Sequence, residues 1–78
     1  MTDTDLNTYR VLIRALDERL RVAAHGTRLA LDDLDHGSRN RAIGALLPVE
    51  HDINVVSAIL TTLLTLHRAR HVGEGGAR

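Results

Sequence analysis

Apolar residues recur along the first half of the chain in alternating steps of three and four. Steps of this size place side chains on one stripe of an α-helix. Gly26 falls inside the stripe and costs about 1 kcal/mol relative to alanine, but the spacing continues beyond it, which favours one continuous helix. The pattern predicts a long first helix with the following stripe: Leu6, Tyr9, Ile13, Leu16, Leu20, Ala23, Thr27, Ala30 and Leu34.

A connection between helices is predicted at residues 32–38, where three acidic residues precede a glycine. Gly37 suits the C′ position after a helix, and Ser38 suits the N-cap of the next one. A short middle helix is predicted over residues 39–47. Pro48 is then a favourable first residue for a further helix, because an N–H group has no intrahelical partner at that position.

The last helix is predicted to run from Pro48 to a point just before Gly73. Glu50 and Asp52 in its first turn complement the positive end of the helix dipole. The helical domain therefore comprises residues 1–72. The glycine-rich residues 73–78 are expected to form a flexible tail.

Residues 53–66 contain no charged side chain, and the chain has only 78 residues with which to cover them. Leaving a Leu, Ile or Val side chain in water forfeits about 1.5 to 3 kcal/mol. The sequence therefore predicts an all-α fold with a long first, a short middle and a medium last helix, dimerising into a helical bundle. The alternative is that the first two helices wrap the last one completely. The predicted dimer interface comprises Ile53, Val56, Ile59, Leu60 and Leu63.

Composition supports a helical core and excludes several classes of protein. Hydrophobic residues make up 44% of the chain, but aromatic residues only 1%, and there is no cysteine. The formal net charge is zero, which removes the general electrostatic case for binding nucleic acid or an anionic membrane. The charge-free run is shorter than the ~20 residues of a membrane span. We expect a cytoplasmic protein with no nucleic-acid partner, no membrane and no cofactor.

His67 and His71 lie four residues apart, the spacing that presents two imidazoles to one metal ion. Spacing fixes no third ligand, and both residues lie where a helix dipole favours positive charge. Complementation of the dipole is therefore the favoured interpretation, and no metal site is expected.

The stretch Thr8-Tyr9-Arg10, followed by Ile13, Leu16-Asp17, Leu20 and Arg28, resembles the opening helix of the all-helical chorismate mutases. These enzymes are intertwined helical dimers that bind a small dicarboxylate. The resemblance covers about the first third of the chain. The rearrangement that these enzymes catalyse is pericyclic. It needs positioning of the substrate and stabilisation of developing charge rather than a proton donor.

The resemblance implies a set of site residues. Arg10 would reach into the site of a partner subunit, and Arg28 would hold a carboxylate. Arg39 or Arg41 would replace the family's lysine, and Glu50 would match the catalytic glutamate of the middle helix. The chain departs from the family in having no lysine or glutamine.

Two functions follow from these observations. The first is a small homodimeric protein-interaction module that serves as an accessory or regulatory subunit for a protein partner. The alternative is a minimal chorismate mutase-like enzyme that binds a small dicarboxylate through arginines.

Overall fold

The computed structural model describes the backbone of residues 3–75 and the side chains of residues 5–69. The described backbone forms two helices, α1 (Asp3–Asp35) and α2 (Arg39–Gly75), joined by a tight turn into an antiparallel hairpin. The hairpin is a rod of 61 × 21 × 14 Å. The all-α fold class is confirmed, and α1 continues through Gly26 as predicted.

The prediction of separate middle and last helices is wrong, because Pro48 lies inside α2 rather than at a helix start. An interior proline removes one backbone hydrogen bond and crowds the carbonyl four residues earlier, here that of Gly44. Packing on α1 offsets this cost, since Ala45 before the proline and Val49 after it are both half-buried in the hairpin. Sequence rules weigh only the local cost of proline.

Helix α2 also includes residues 73–75, the first half of the predicted tail. Residues 76–78 lie outside the described part of the chain.

The turn between the helices confirms the predicted roles of Gly37 and Ser38. Gly37 has a φ of 77°, a conformation that glycine adopts without strain. Its N–H donates to the Leu34 carbonyl over 2.9 Å, and the Ser38 N–H donates to the Asp33 carbonyl over 2.8 Å. This pair of bonds is the Schellman motif that closes a helix. The Ser38 carbonyl then accepts the first bond of α2, from the Ala42 N–H.

The two helices meet along interior positions that alternate in steps of three and four, the spacing of an antiparallel coiled coil. The interior residues of α2 are Ala42, Ala45, Val49, Asp52, Val56, Ile59 and Leu63. Those of α1 include Tyr9, Leu12, Leu16, Ala23, Gly26 and Ala30. Where Gly26 faces α2, a β-carbon built on it would overlap the Val49 side chain. Glycine is therefore required there by the neighbouring helix.

The predicted stripe of α1 is confirmed in part. Tyr9 and Leu16 are half-buried, and Ala23 and Ala30 are buried. The remaining residues of the stripe are exposed: Leu6, Ile13, Leu20, Thr27 and Leu34. A single partner helix covers a strip narrower than the apolar stripe, so one margin stays in contact with water.

The hairpin leaves much of its apolar surface uncovered. Fifteen large apolar side chains of the described residues are exposed, whereas the buried apolar residues are Ala23, Ala30, Ala42 and Leu63. The accessible surface is 6113 Å², and a compact protein of 8.6 kDa would expose about 4,700 Å². The alternative in which the last helix is completely wrapped within one chain is therefore wrong.

Candidate functional site

One broad side of the hairpin is lined by leucine and isoleucine from both helices. Each of these residues directly follows an interior residue, as Ile13 follows Leu12 and Leu60 follows Ile59. In an antiparallel pair, equivalent positions of the two helices lie on the same side. We call this surface the apolar face. It comprises Leu6, Ile13, Leu20, Leu46, Ile53 and Leu60, which are between 37% and 52% exposed.

A groove of about 580 Å³ opens in the apolar face towards the end of the hairpin that is distant from the turn. The groove is lined by Leu6, Tyr9, Ile13, Leu16, Leu60, Leu63, Leu64 and His67. Its walls are aliphatic apart from the Tyr9 ring and the His67 imidazole. Such a groove can receive apolar side chains.

The groove follows from a gradient in side-chain size along the interior. Near the turn the interior residues are small: Ala23, Gly26, Ala30, Ala42 and Ala45. At the opposite end they are large: Tyr9, Leu12, Leu16, Ile59 and Leu63. Small residues allow two helix backbones to approach closely, whereas large ones hold them apart. The hairpin is therefore tight at its closed end and grooved at its open end.

The other broad side of the hairpin, which we call the opposite edge, is less uniformly apolar. Ala15, Val22, Leu29 and Val55 each directly precede an interior residue, and Val22 and Leu29 are exposed. The charged side chains of Glu18 and Arg19 line the same depression as Ala15 and Val22.

The predicted dimer-interface residues divide into two groups. Ile53 and Leu60 are exposed and belong to the apolar face. Val56, Ile59 and Leu63 are half-buried or buried against α1 within the same chain. The structure therefore uses part of the predicted interface for the core of the hairpin.

Among the residues whose side chains are described, Asp52 is the buried polar residue, at 4% exposure. Its Oδ1 accepts a hydrogen bond from Nη1 of Arg19 over 3.1 Å, and the Arg19 side chain remains half-exposed. The sequence interpretation places Asp52 in the first turn of a helix, which is wrong because α2 begins at Arg39. Asp52 lies three residues after Val49 and four before Val56. This spacing is the signal in the sequence that Asp52 faces α1.

The residues implied by the mutase resemblance lie on both helices, and Arg10 is distant from Arg28 within one chain. The side chains of Arg10, Arg28, Arg39, Arg41 and Glu50 are all exposed. Arg10 and Arg28 are separated by about 27 Å along α1, at a rise of 1.5 Å per residue. A site that combines Arg10 of one subunit with residues of another stays a prediction.

His67 is exposed, and the His71 side chain lies outside the described residues. Within the described part of the chain, no three His, Asp or Glu side chains are grouped closely enough to hold a metal ion. The acidic segment before the turn instead binds its own histidine: His36 Nδ1 lies 2.8 Å from the Asp32 carbonyl oxygen.

The stretch Arg39–Ala69 of α2 is long and apolar enough to cross a membrane by length and composition, and 6% of its most apolar window is buried in the hairpin. This stretch contains Glu50 and Asp52, however. Each acidic residue near the centre of a span costs about 2.5 to 3.5 kcal/mol on insertion scales. Its charge-free part, residues 53–66, is about 21 Å long, short of the ~30 Å hydrocarbon core.

No protein-family model, no curated protein and no solved structure matches this chain.

Proposed function

We propose that the protein is a homodimeric helical interaction module that acts as an accessory or regulatory subunit. The observation that carries this proposal is the apolar face, a continuous row of half-exposed leucine and isoleucine side chains on one side of the hairpin. Contiguous apolar surfaces of this kind on soluble proteins mark sites of association.

The amount of uncovered surface is adequate for a stable interface. The chain exposes about 1,400 Å² more than a compact protein of its mass. A standard protein interface covers about 800 Å² on each partner. An interface of this size on the apolar face would cover more than half of the excess.

The same hairpin has a second surface with which to bind a different protein. After association through the apolar face, Val22 and Leu29 of the opposite edge remain in contact with water. Glu18 and Arg19 lie beside this edge, and such a mixture of apolar and charged groups is typical of interfaces that form and dissociate. One surface for a second copy and another for a different protein together support the role of an accessory or regulatory subunit.

Sedimentation equilibrium tests the homodimer. Across micromolar concentrations we expect a species of twice the 8.6 kDa chain mass, which dissociates on dilution. A mass of one chain throughout the micromolar range would contradict the proposal.

The mutase-like alternative stays a separate proposal based on the sequence resemblance. It is tested by the loss of chorismate absorbance with the purified protein and with an Arg28→Ala variant. Turnover that the substitution abolishes would support it, and the absence of turnover in the unaltered protein would exclude it.

A further inference from the structure

We infer that two hairpins pack antiparallel through their apolar faces, with the twofold axis beside Leu20 and Ile53, so that the closed end of each fills the groove of the other. This inference rests on the proposed homodimer and specifies its geometry. The resulting dimer is a four-helix bundle in which α1 lies against α1 of the second copy and α2 lies against α2 of the second copy.

The second copy is the occupant because the apolar face is complementary to itself. A twofold interface places one patch against the same patch, so a charged patch would meet its own charge. The six residues of the apolar face carry no charge, and the chain as a whole has a net charge of zero. The apolar face therefore has no charge that would favour an oppositely charged partner over a second copy.

The shape of the hairpin determines the orientation. In a parallel arrangement the two grooves would face each other and leave a void, which costs free energy in proportion to its volume. In the antiparallel arrangement, the tight closed end of one copy lies over the groove of the other. Ile43 and Leu46 near the closed end are 56% and 37% exposed, and their side chains would enter the groove beside Leu60 and Leu64.

The register of the hairpin fixes the position of the axis. Gly26 lies against Val49, and Arg19 reaches Asp52. The same register places Leu20 beside Ile53, and Leu20 is close to the midpoint of α1 (Asp3–Asp35). An axis at this level brings each Leu20 next to its symmetry mate. Leu6 would lie about 21 Å from the axis along the rod, opposite Leu34 of the second copy.

The absence of cysteine in the chain allows single-cysteine variants to report this geometry directly. We expect Leu20→Cys to form a covalent dimer under mild oxidation or with a short bismaleimide. Leu6→Cys alone should give about tenfold less covalent dimer, because Leu6 is distant from its symmetry mate and a disulfide requires β-carbons only a few ångströms apart. A mixture of Leu6→Cys and Leu34→Cys should cross-link to each other.

Val22→Cys provides the matched control, since Val22 is as exposed as Leu20 but lies on the opposite edge. Circular dichroism verifies that each variant remains helical, and Ile53→Cys provides a second reporter of the axis. If Leu20→Cys does not cross-link to itself but cross-links to Ile53→Cys when the two variants are mixed, the hairpins are parallel. That result would overturn the inference.

Sedimentation of the same variants separates the two proposals. A dimer by mass in which Val22→Cys cross-links instead of Leu20→Cys overturns the geometry but leaves the homodimer intact. A monomer contradicts both proposals. Flotation of the protein with phosphatidylcholine vesicles, together with loss of the Leu20→Cys cross-link, would show that lipid covers the apolar face and would overturn the inference.

Discussion

The Arg19 guanidinium binds the carboxylate of Asp52 across the hairpin, with 3.1 Å between Nη1 and Oδ1. The two residues are 33 positions apart in sequence, and their side chains meet between the two helices. The Asp52 carboxylate is buried, and its Oδ1 accepts the hydrogen bond from Arg19 in the interior of the hairpin. A slip of either helix along the other would leave the carboxylate without its partner, and the pair thereby fixes the register of the hairpin.

We expect Arg19→Ala to destabilise the hairpin by about 1 to 3 kcal/mol, because it leaves a buried acceptor without its donor. The paired replacement Arg19→Leu with Asp52→Leu should restore or exceed the original stability, since an apolar pair carries no desolvation cost. Urea unfolding of Arg19→Leu, Asp52→Leu and the double variant measures the coupling between the two side chains. Additive single effects would show that the two side chains do not interact.

Because Gly26 contacts Val49, we expect its replacement by alanine to destabilise the protein, although alanine has the higher helix propensity. Gly26→Ala should lower the free energy of unfolding by about 1 to 3 kcal/mol, because the added methyl group overlaps the stiff Val49 side chain. Gly44→Ala is the matched control: a β-carbon added there would meet no atom within 4 Å, and the substitution should stabilise by about 0.5 to 1 kcal/mol. Thermal unfolding measures both changes.

A second change at the same contact tests its cause. If the overlap with Val49 is responsible, Val49→Ala should restore part of the stability lost in Gly26→Ala. A Gly26→Ala variant more stable than the unaltered protein would contradict the close approach of the helices.

Pro48 lies in the interior of α2, where proline costs about 3 kcal/mol relative to alanine. Pro48→Ala should therefore raise the midpoint of thermal unfolding. It also adds an N–H group at position 48, which should donate to the Gly44 carbonyl and be protected from exchange. Hydrogen exchange measures this protection. Unfolding at a lower temperature would instead favour a break between two helices at this residue.

Charge on the apolar face should dissociate the dimer. Leu60→Glu would bury a carboxylate without a partner at the interface, and we expect association to weaken at least about a hundredfold. Leu47→Glu is the control, because Leu47 is 67% exposed on the outer side of α2. Sedimentation equilibrium distinguishes the two variants, and equal masses would contradict the assignment of the interface.

Several elements could be predicted from the sequence because they depend on local chemistry. The long first helix follows from its apolar period, and the turn follows from the ability of Gly37 to adopt a positive φ. The surplus of apolar surface follows from the charge-free residues 53–66 in so short a chain. These features require only the identities of neighbouring residues.

Which residues face inward could be decided only by the tertiary structure. The sequence could not show that α2 continues through Pro48, because the compensating contacts come from α1. Sequence rules place Asp52 at a helix end for the same reason, since its partner Arg19 is distant in sequence. The division of the apolar residues between the interior and the apolar face depends on the register of two helices. That register is set by the fit of Gly26 against Val49 and by one ion pair, both of which exist only after the chain has folded back on itself.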